Sequence, residues 1–273
     1  MNAPIVVGVD AERASGDALL WAVAEARRRH TWVLLLHATD NADAAAAARA
    51  GRTASMSAAA LLRAHRRLAN SLAPDVRTVG QVVGGSAVAA LIGMSRRAGL
   101  LVIGSRGRIG LAQSALGSVS QQVVAHAHCP VVVVPQAAAR LATRRIVVGI
   151  ADVAADSRVL DVAAAEARRW GATLCVVHAD DGAARQHAQA ELDAAISHLR
   201  QHHGDIVVER AIPADGAVPA LVAEASLADL LVLGCRHTEE EFGCRIGTVP
   251  AGVLPQLTCP VVLVPRASLA VAA

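Results

Sequence analysis

The sequence predicts two tandem α/β units, each a doubly wound, Rossmann-like parallel sheet of five strands in the order 3-2-1-4-5. Three observations predict it. First, the chain repeats itself. Ile5-Val6-Val7-Gly8-Val9 recurs as Ile146-Val147-Val148-Gly149-Ile150, Glu25-Ala26-Arg27-Arg28 as Glu166-Ala167-Arg168-Arg169, and His37-Ala38 as His178-Ala179. Leu101-Val102-Ile103-Gly104 recurs as Leu231-Val232-Leu233-Gly234, and Cys129-Pro130-Val131 as Cys259-Pro260-Val261. The offset falls from 141 to 130, so the second copy is 11 residues shorter in its middle; the period far exceeds that of solenoid repeats. Second, short continuous apolar runs alternate with segments of helical period in each copy. Third, 273 residues suffice for two such units.

The elements follow in order. Residues 5–9 form a continuous apolar run, as a strand buried on both faces requires. Residues 17–29 carry Ala, Leu and Trp at helical spacing and end in Arg27-Arg28-Arg29, which suits a helix C-terminus. Residues 32–37 are the second strand, 55–72 a long Ala/Leu/Arg helix and 76–83 the third strand. Ser86 is placed to cap a helix running to about Arg97. Residues 100–103 are the fourth strand, 118–127 a helix and 131–134 the last strand. The second copy repeats the series from about Arg145 to Pro265, and the Ala-rich stretch from Gln136 to Thr143 is the expected linker. Domains are therefore expected at residues 1–140 and 141–273.

Composition removes several functions. Hydrophobic residues are 54% of the chain and charged ones 18%, which argues against disorder. Aromatics are 1%, too few for a base-stacking platform, and the net charge of +3 is dispersed, so no nucleic-acid partner is expected. The chain contains no lysine and no tyrosine, which excludes a Walker A lysine, a Schiff-base lysine and a tyrosine acid. No apolar run is long enough to span a membrane, and Met1-Asn2-Ala3-Pro4 leads straight into a strand rather than a signal peptide. Five cysteines without a CxxC pair fit a reducing cytoplasm.

In a 3-2-1-4-5 sheet, ligands bind beyond the carboxyl ends of the strands where the order reverses, between strands 1 and 4. Strand 1 ends at Asp10 and strand 4 at Gly104, so topology sets both at one crevice. Gly104 opens Gly104-Ser105-Arg106-Gly107-Arg108-Ile109-Gly110, and Gly117-Ser118-Val119-Ser120 then opens a helix. Glycines let backbone approach a ligand closely, and a helix N-terminus presents N–H groups and the positive end of its dipole. Together they could cradle a polyphosphate; the alternative is that the glycines only turn a loop. The pattern is neither GxGxxG nor GxxxxGK[ST].

Gly104-x2-Gly107-x9-Gly117-Ser118 resembles the nucleotide-binding signature of the universal stress protein family. Val6-Val7-Gly8-Val9-Asp10 resembles the family's first strand with its adenine-contacting aspartate, and Cys129-Pro130 with Val131 to Val134 resembles its closing strand. The resemblance spans the chain twice and implies a tandem member of the ATP-binding branch. It implies that Asp10 accepts from the adenine amino group and that the backbone of Val9 and Ala38 lines adenine and ribose. Gly104, Gly107, Gly117, Ser118 and Val119 would then hold the phosphates, with Ser120 nearby. The ligand implied is ATP or another adenine nucleotide, its phosphates carrying Mg²⁺ in solution. Arg106 and Arg108 suit added charge there, or simply a solvated face.

The second copy departs from this pattern. Asp10 becomes Ala151, followed by Asp152, and Gly107 becomes His237, while Gly234, Gly247 and Thr248 survive. The loop Thr238-Glu239-Glu240-Glu241 would repel a polyphosphate. A weaker second site is expected.

His37 and His178 end equivalent strands without a second ligand at metal spacing. His198 and His202 are four apart on a helix and could bind a divalent ion or simply form a polar helix end. His126 and His128 suit helix-end capping. Cys235 and Cys244 are read as loop thiols of possible redox use. Ser15-Gly16-Asp17 superficially resembles a PP-loop but lacks its glycine pair. No catalytic constellation or metal site emerges. The leading expectation is a nucleotide-dependent stress-response regulator; the alternatives are a slow ATPase or nucleotide hydrolase of the same fold, and an interaction protein that binds no nucleotide. The final strands, Val131 to Val134 and Val261 to Val264, are expected to pair within the chain, leaving another surface for any homodimer.

Overall fold

The computed structural model describes residues 2–10, 13–39, 49, 53–105, 117–136, 142–178, 185–213, 216–235, 246–256 and 258–265. The chain divides into two compact units, Met1–Gln136 and Ala137–Ala273.

In the first unit the strands are β1 (Ile5–Gly8), β2 (Val33–Thr39), β3 (Thr78–Gly84), β4 (Leu100–Gly104) and β5 (Val131–Val134). Their order is β3-β2-β1-β4-β5, parallel throughout, which is the predicted 3-2-1-4-5. The helices are α1 (Arg13–Arg28), α2 (Ala54–Leu72), α3 (Ala87–Ser95) and α4 (Ser118–His126). The second unit carries β6 (Arg145–Gly149), β7 (Thr173–Val177), β8 (Val208–Ala211), β9 (Leu230–Cys235) and β10 (Val261–Pro265) in the equivalent order β8-β7-β6-β9-β10. Its helices are α5 (Val153–Trp170), α6 (Arg185–His202), α7 (Ala217–Ala225) and α8 (Thr248–Val253).

The strand cores are valine, leucine and isoleucine buried on both faces, as in Val6, Leu35, Leu101 and Val132. Each such side chain contributes about 1.5–3 kcal/mol of burial. Local chemistry sets the helix ends. Thr53 accepts the Met56 amide at 3.1 Å to start α2, and Ser86 accepts the Ala89 amide at 3.5 Å to start α3. Asp152 caps α5 through the Ala155 amide at 2.7 Å, and Gly171 ends it at φ +58°. The repeated Glu-Ala-Arg-Arg motif also acquires a structural reason. Glu25, fully buried, accepts from Arg29 at 2.6 Å and Arg28 at 3.2 Å, and buried Glu166 accepts from Arg169 at 2.8 Å. A buried carboxylate requires such partners.

Most boundaries lie within two residues of the sequence reading, and two helix ends have a clear physical reason for differing. Helix α1 begins at Arg13, a turn before residue 17, because its first turn is polar and carries no apolar period. Helix α3 stops at Ser95, whose hydroxyl donates to the Ile92 carbonyl at 2.7 Å and accepts the His128 amide at 3.0 Å. Among the described residues no helix is long and apolar enough to cross a membrane.

Candidate functional site

The order reverses between β1 and β4 of the first unit, which pair in register Ile5↔Leu100, Val6↔Leu101 and Val7↔Val102. Val9 and Asp10 therefore leave β1 beside the end of β4 at Gly104. Gly8 is small for a packing reason: a Cβ there would meet Leu91 Cδ2 at 3.3 Å.

Asp10 is held by a residue that the sequence reading set aside. Ser15, in the first turn of α1 and 4% exposed, donates its hydroxyl to the Asp10 carboxylate. The same oxygen accepts the Asp10 amide at 2.9 Å. Val9 is also fixed. Its amide donates to the Leu36 carbonyl at 2.9 Å, and its carbonyl accepts from His37 Nδ1 at 2.8 Å. That bond requires the proton on Nδ1, and it leaves the Val9 carbonyl one further lone pair. Ala38 follows in β2, half-buried and paired with Val83.

The glycine elements converge across the intervening chain. Ser120 Oγ donates to the Gly104 carbonyl at 3.1 Å, and the Gly117 amide donates to the Ser105 carbonyl at 3.3 Å. Helix α4 thus starts at the end of β4. Ser120 is buried and its hydroxyl proton is spent on Gly104, so it positions the helix. Gly117 is the N-cap at φ −61°, ψ 157°, a conformation open to any residue, and among the described residues no side chain caps the helix. Ser118 and Val119 are exposed beside it. Gly107, Arg106, Arg108 and Gly110 lie outside the described residues.

The second unit rearranges these groups. At the offset of 141, Asp10 and Ser15 become Ala151 and Asp156. The carboxylate has moved from the strand end to the helix, where it is fully buried and accepts the Ala151 amide at 3.0 Å and the Asp152 amide at 3.4 Å. Asp152 does not replace Asp10, because its carboxylate caps α5. Glu191 accepts the Val153 amide at 2.7 Å, so three carboxylates surround this helix start. At the offset of 130, Ser120 becomes Pro250, inside α8 after Gly247 and Thr248. Proline removes one N–H from that helix start and the hydroxyl that ties it to the strand. Repeat alignment was the signal available for Asp156 and Pro250; the sequence offered Ser15 and His37 as candidates but not their bonds to Asp10 and Val9, which need the fold. His237 and Thr238 to Glu241 lie outside the described residues.

The remaining candidates resolve into structural roles. His178 Nε2 donates to the Ala151 carbonyl at 3.2 Å, and His126 Nδ1 to the Gln122 carbonyl at 2.8 Å. His202 Nδ1 donates to the His198 carbonyl at 2.9 Å, while His198 and His203 both donate to Asp161. Among the described residues no group of three side chains is arranged to hold a metal. Cys235 is no loop thiol: it ends β9 and is buried, because the apolar run extends one residue past Gly234. Cys244 lies outside the described residues.

The universal stress protein family model matches residues 1–135 and 142–265. Universal stress protein Rv3134c of Mycobacterium tuberculosis is 31% identical over 257 residues, covering 90% of this chain and 95% of its own. Universal stress protein Rv1996 of the same organism is 26% identical over 300 residues, covering 96% and 95%. A crystal structure of a universal stress protein from Archaeoglobus fulgidus superposes with a TM-score of 0.78 at 17% identity, covering 98% of this chain and 100% of that one.

Proposed function

The chain belongs to the universal stress protein family, and on that premise we propose that it is a cytoplasmic stress-response regulator that binds ATP or another adenine nucleotide, chiefly in its first unit. One observation carries this reading. Helix α4 starts at the end of β4 with a glycine where the backbone requires none and with no side-chain cap among the described residues. A missing side chain at that point leaves the first-turn N–H groups and the positive dipole end approachable by a phosphate.

Asp10, steadied by Ser15, accepts from the adenine amino group, and the backbone of Val9 and Ala38 lines the base and ribose. Gly104, Gly107, Gly117, Ser118 and Val119 hold the phosphates, Ser120 holds the helix in place, and bound phosphates bring Mg²⁺ with them. The second site, at Gly234, Gly247 and Thr248, is weaker, since Asp152, Asp156 and Glu191 ring the neighbouring helix start and Pro250 removes a donor. Heat-denaturing the purified protein and identifying the released nucleotide by chromatography and mass tests the reading. About one adenine nucleotide per chain is the expected result. Protein that carries none, and takes up none in calorimetric titration, overturns it.

From the sequence alone we also propose domains at 1–140 and 141–273 that pair through Val131 to Val134 and Val261 to Val264, with any homodimer using another surface. Small-angle scattering of a Val132→Pro/Val262→Pro double variant should show the domains separating; an unchanged envelope refutes the pairing.

A further inference from the structure

The first unit has a second concavity at the other end of its sheet. Asn2, Arg27, His30, Trp32, Asp75 and Arg77 line a cleft of about 660 Å³, with Ala26 and Val76 supplying apolar wall. These residues precede β1, β2 and β3 or end α1, so the cleft lies at the amino ends of the strands, opposite Asp10 and Gly104. Its volume falls in the range of small-molecule sites.

The duplicated chain supplies an internal control. The ion pair Arg27–Asp75, at 2.9 Å, recurs as Arg168–Asp205. Around this shared frame the lining differs: His30, Trp32 and Arg77 stand where the second unit has Gly171, Thr173 and Val207. His30 ends α1 at φ +50°, with the Thr31 amide bonded to the Ala26 carbonyl at 3.0 Å. Gly171 closes α5 in the same way at φ +58°. A side chain in that conformation costs about 1 kcal/mol that glycine avoids. Trp32 adds a second cost, because its indole N–H is buried and has no acceptor among the described residues. Arg77 lies over the Trp32 ring, 5.8 Å from its centroid, and has no carboxylate partner among the described residues. Arg27, in contrast, is already neutralised by Asp75.

We propose that this cleft binds a small organic anion with a flat apolar body, of the aryl carboxylate class. The carboxylate pairs with Arg77, for which a planar bidentate contact is the natural geometry. His30 closes the rim. The aromatic body lies against Trp32, Ala26 and Val76.

The test uses the full chain labelled with ¹⁵N-tryptophan, which carries three indole N–H reporters, Trp21, Trp32 and Trp170. The Trp32→Thr variant identifies the Trp32 signal. Titration with benzoate should shift that signal saturably and leave the other two in place. Arg77→Val should weaken the apparent affinity by about tenfold, the scale of losing a charge-assisted contact, and His30→Gly should weaken it less. All three substitutions introduce residues that the second unit carries at the same positions, so the fold accommodates them. No shift with benzoate, equal movement of all three signals, an equal response in Arg77→Val, or an equal response to inorganic phosphate would each overturn the proposal.

Discussion

The Ser15 hydroxyl donates to the Asp10 carboxylate and accepts the Asp10 amide at 2.9 Å, closing two hydrogen bonds between the end of β1 and the first turn of α1. If Asp10 accepts from adenine as proposed, its carboxylate is thus set before any ligand arrives. Ser15→Ala removes both bonds and leaves the Asp10 amide without this acceptor. We expect a loss of about 1–2 kcal/mol in stability. Nucleotide affinity should also fall about tenfold, equivalent to about 1.4 kcal/mol. Thermal melts and titration calorimetry measure the two effects separately. Unchanged affinity in folded Ser15→Ala would mean that Asp10 needs no such support.

Asp156 occupies the position of Ser15 in the second unit and is wholly buried, accepting the Ala151 and Asp152 amides at 3.0 and 3.4 Å. Its work there is structural. Asp156→Ala should destabilise the protein by about 1–3 kcal/mol, the cost of leaving buried amides without an acceptor. Binding stoichiometry should stay at one nucleotide per chain. A fall in stoichiometry would assign Asp156 to a binding site.

The repeated strands and their order were legible because a parallel strand buried on both faces is an unbroken apolar run, and Val131 to Val134 needs no other context. The crevice was legible as far as topology reaches, since Gly104 ends β4 and Asp10 follows the end of β1 where the order reverses. Ser15 was not: its partner lies five residues back, across the turn from strand to helix, and a serine in a polar first turn gives no periodic signal. His37 was noted as the end of a repeated strand, but its role was not legible, because its bond to the Val9 carbonyl crosses from β2 to β1. The opposite cleft was illegible in one copy. It emerges only when His30, Trp32 and Arg77 are set against Gly171, Thr173 and Val207 on a known fold.

Asp161 ties α5 to α6. Burial acts to raise its carboxyl, but hydrogen bonds from His203 at 3.0 Å and His198 at 2.9 Å outweigh burial and hold it below the ordinary carboxylate range. A lowered folded pKa gives stability that is present above the unfolded value, near ~3.9, and lost as the pH falls through the folded value. Asp161→Asn should therefore be less stable than the parent at pH 7. The difference is at most about 1 kcal/mol, because half-exposed pairs are screened by water. It should shrink as the pH drops below about 4. Urea unfolding at pH 7 and pH 3 measures it; an equal gap at both would remove the carboxylate from the account.

Burial also governs the thiols. It pushes Cys259 up to about 12 and Cys175 up to about 11, and Cys129 and Cys235 are buried as well. The thiolate is the reactive form, so these four should resist reagents at pH 8. With Ellman's reagent we expect no more than one of the five cysteines to react quickly in the native protein, and all five after denaturation. Fast reaction of two or more native thiols would contradict the packing of β7, β9 and β10.

Gly117 and Gly247 allow the nucleotide reading to be tested against its own twin. Each is the N-cap of its helix, at φ −61°, ψ 157° and φ −52°, ψ 156°, so neither glycine answers a backbone demand. A Cβ at Gly247 would meet nothing closer than Pro250 Cδ at 3.7 Å, an ordinary contact. The backbone at either position therefore accepts a residue other than glycine, and at Gly247 there is room for its side chain as well. At 117 glutamate brings a carboxylate to the helix start assigned to the phosphates, where it competes for the N–H groups and repels the ligand. Gly117→Glu should weaken ATP binding by at least about tenfold, or about 1.4 kcal/mol, with the melting temperature little changed. Gly247→Glu makes the same chemical change at a helix start from which Pro250 already removes a donor, and ATP affinity should stay at the parent value. Calorimetric titration of both variants decides between the units. Equal loss in the two would place binding in both, and loss in Gly247→Glu alone would move the site to the second unit.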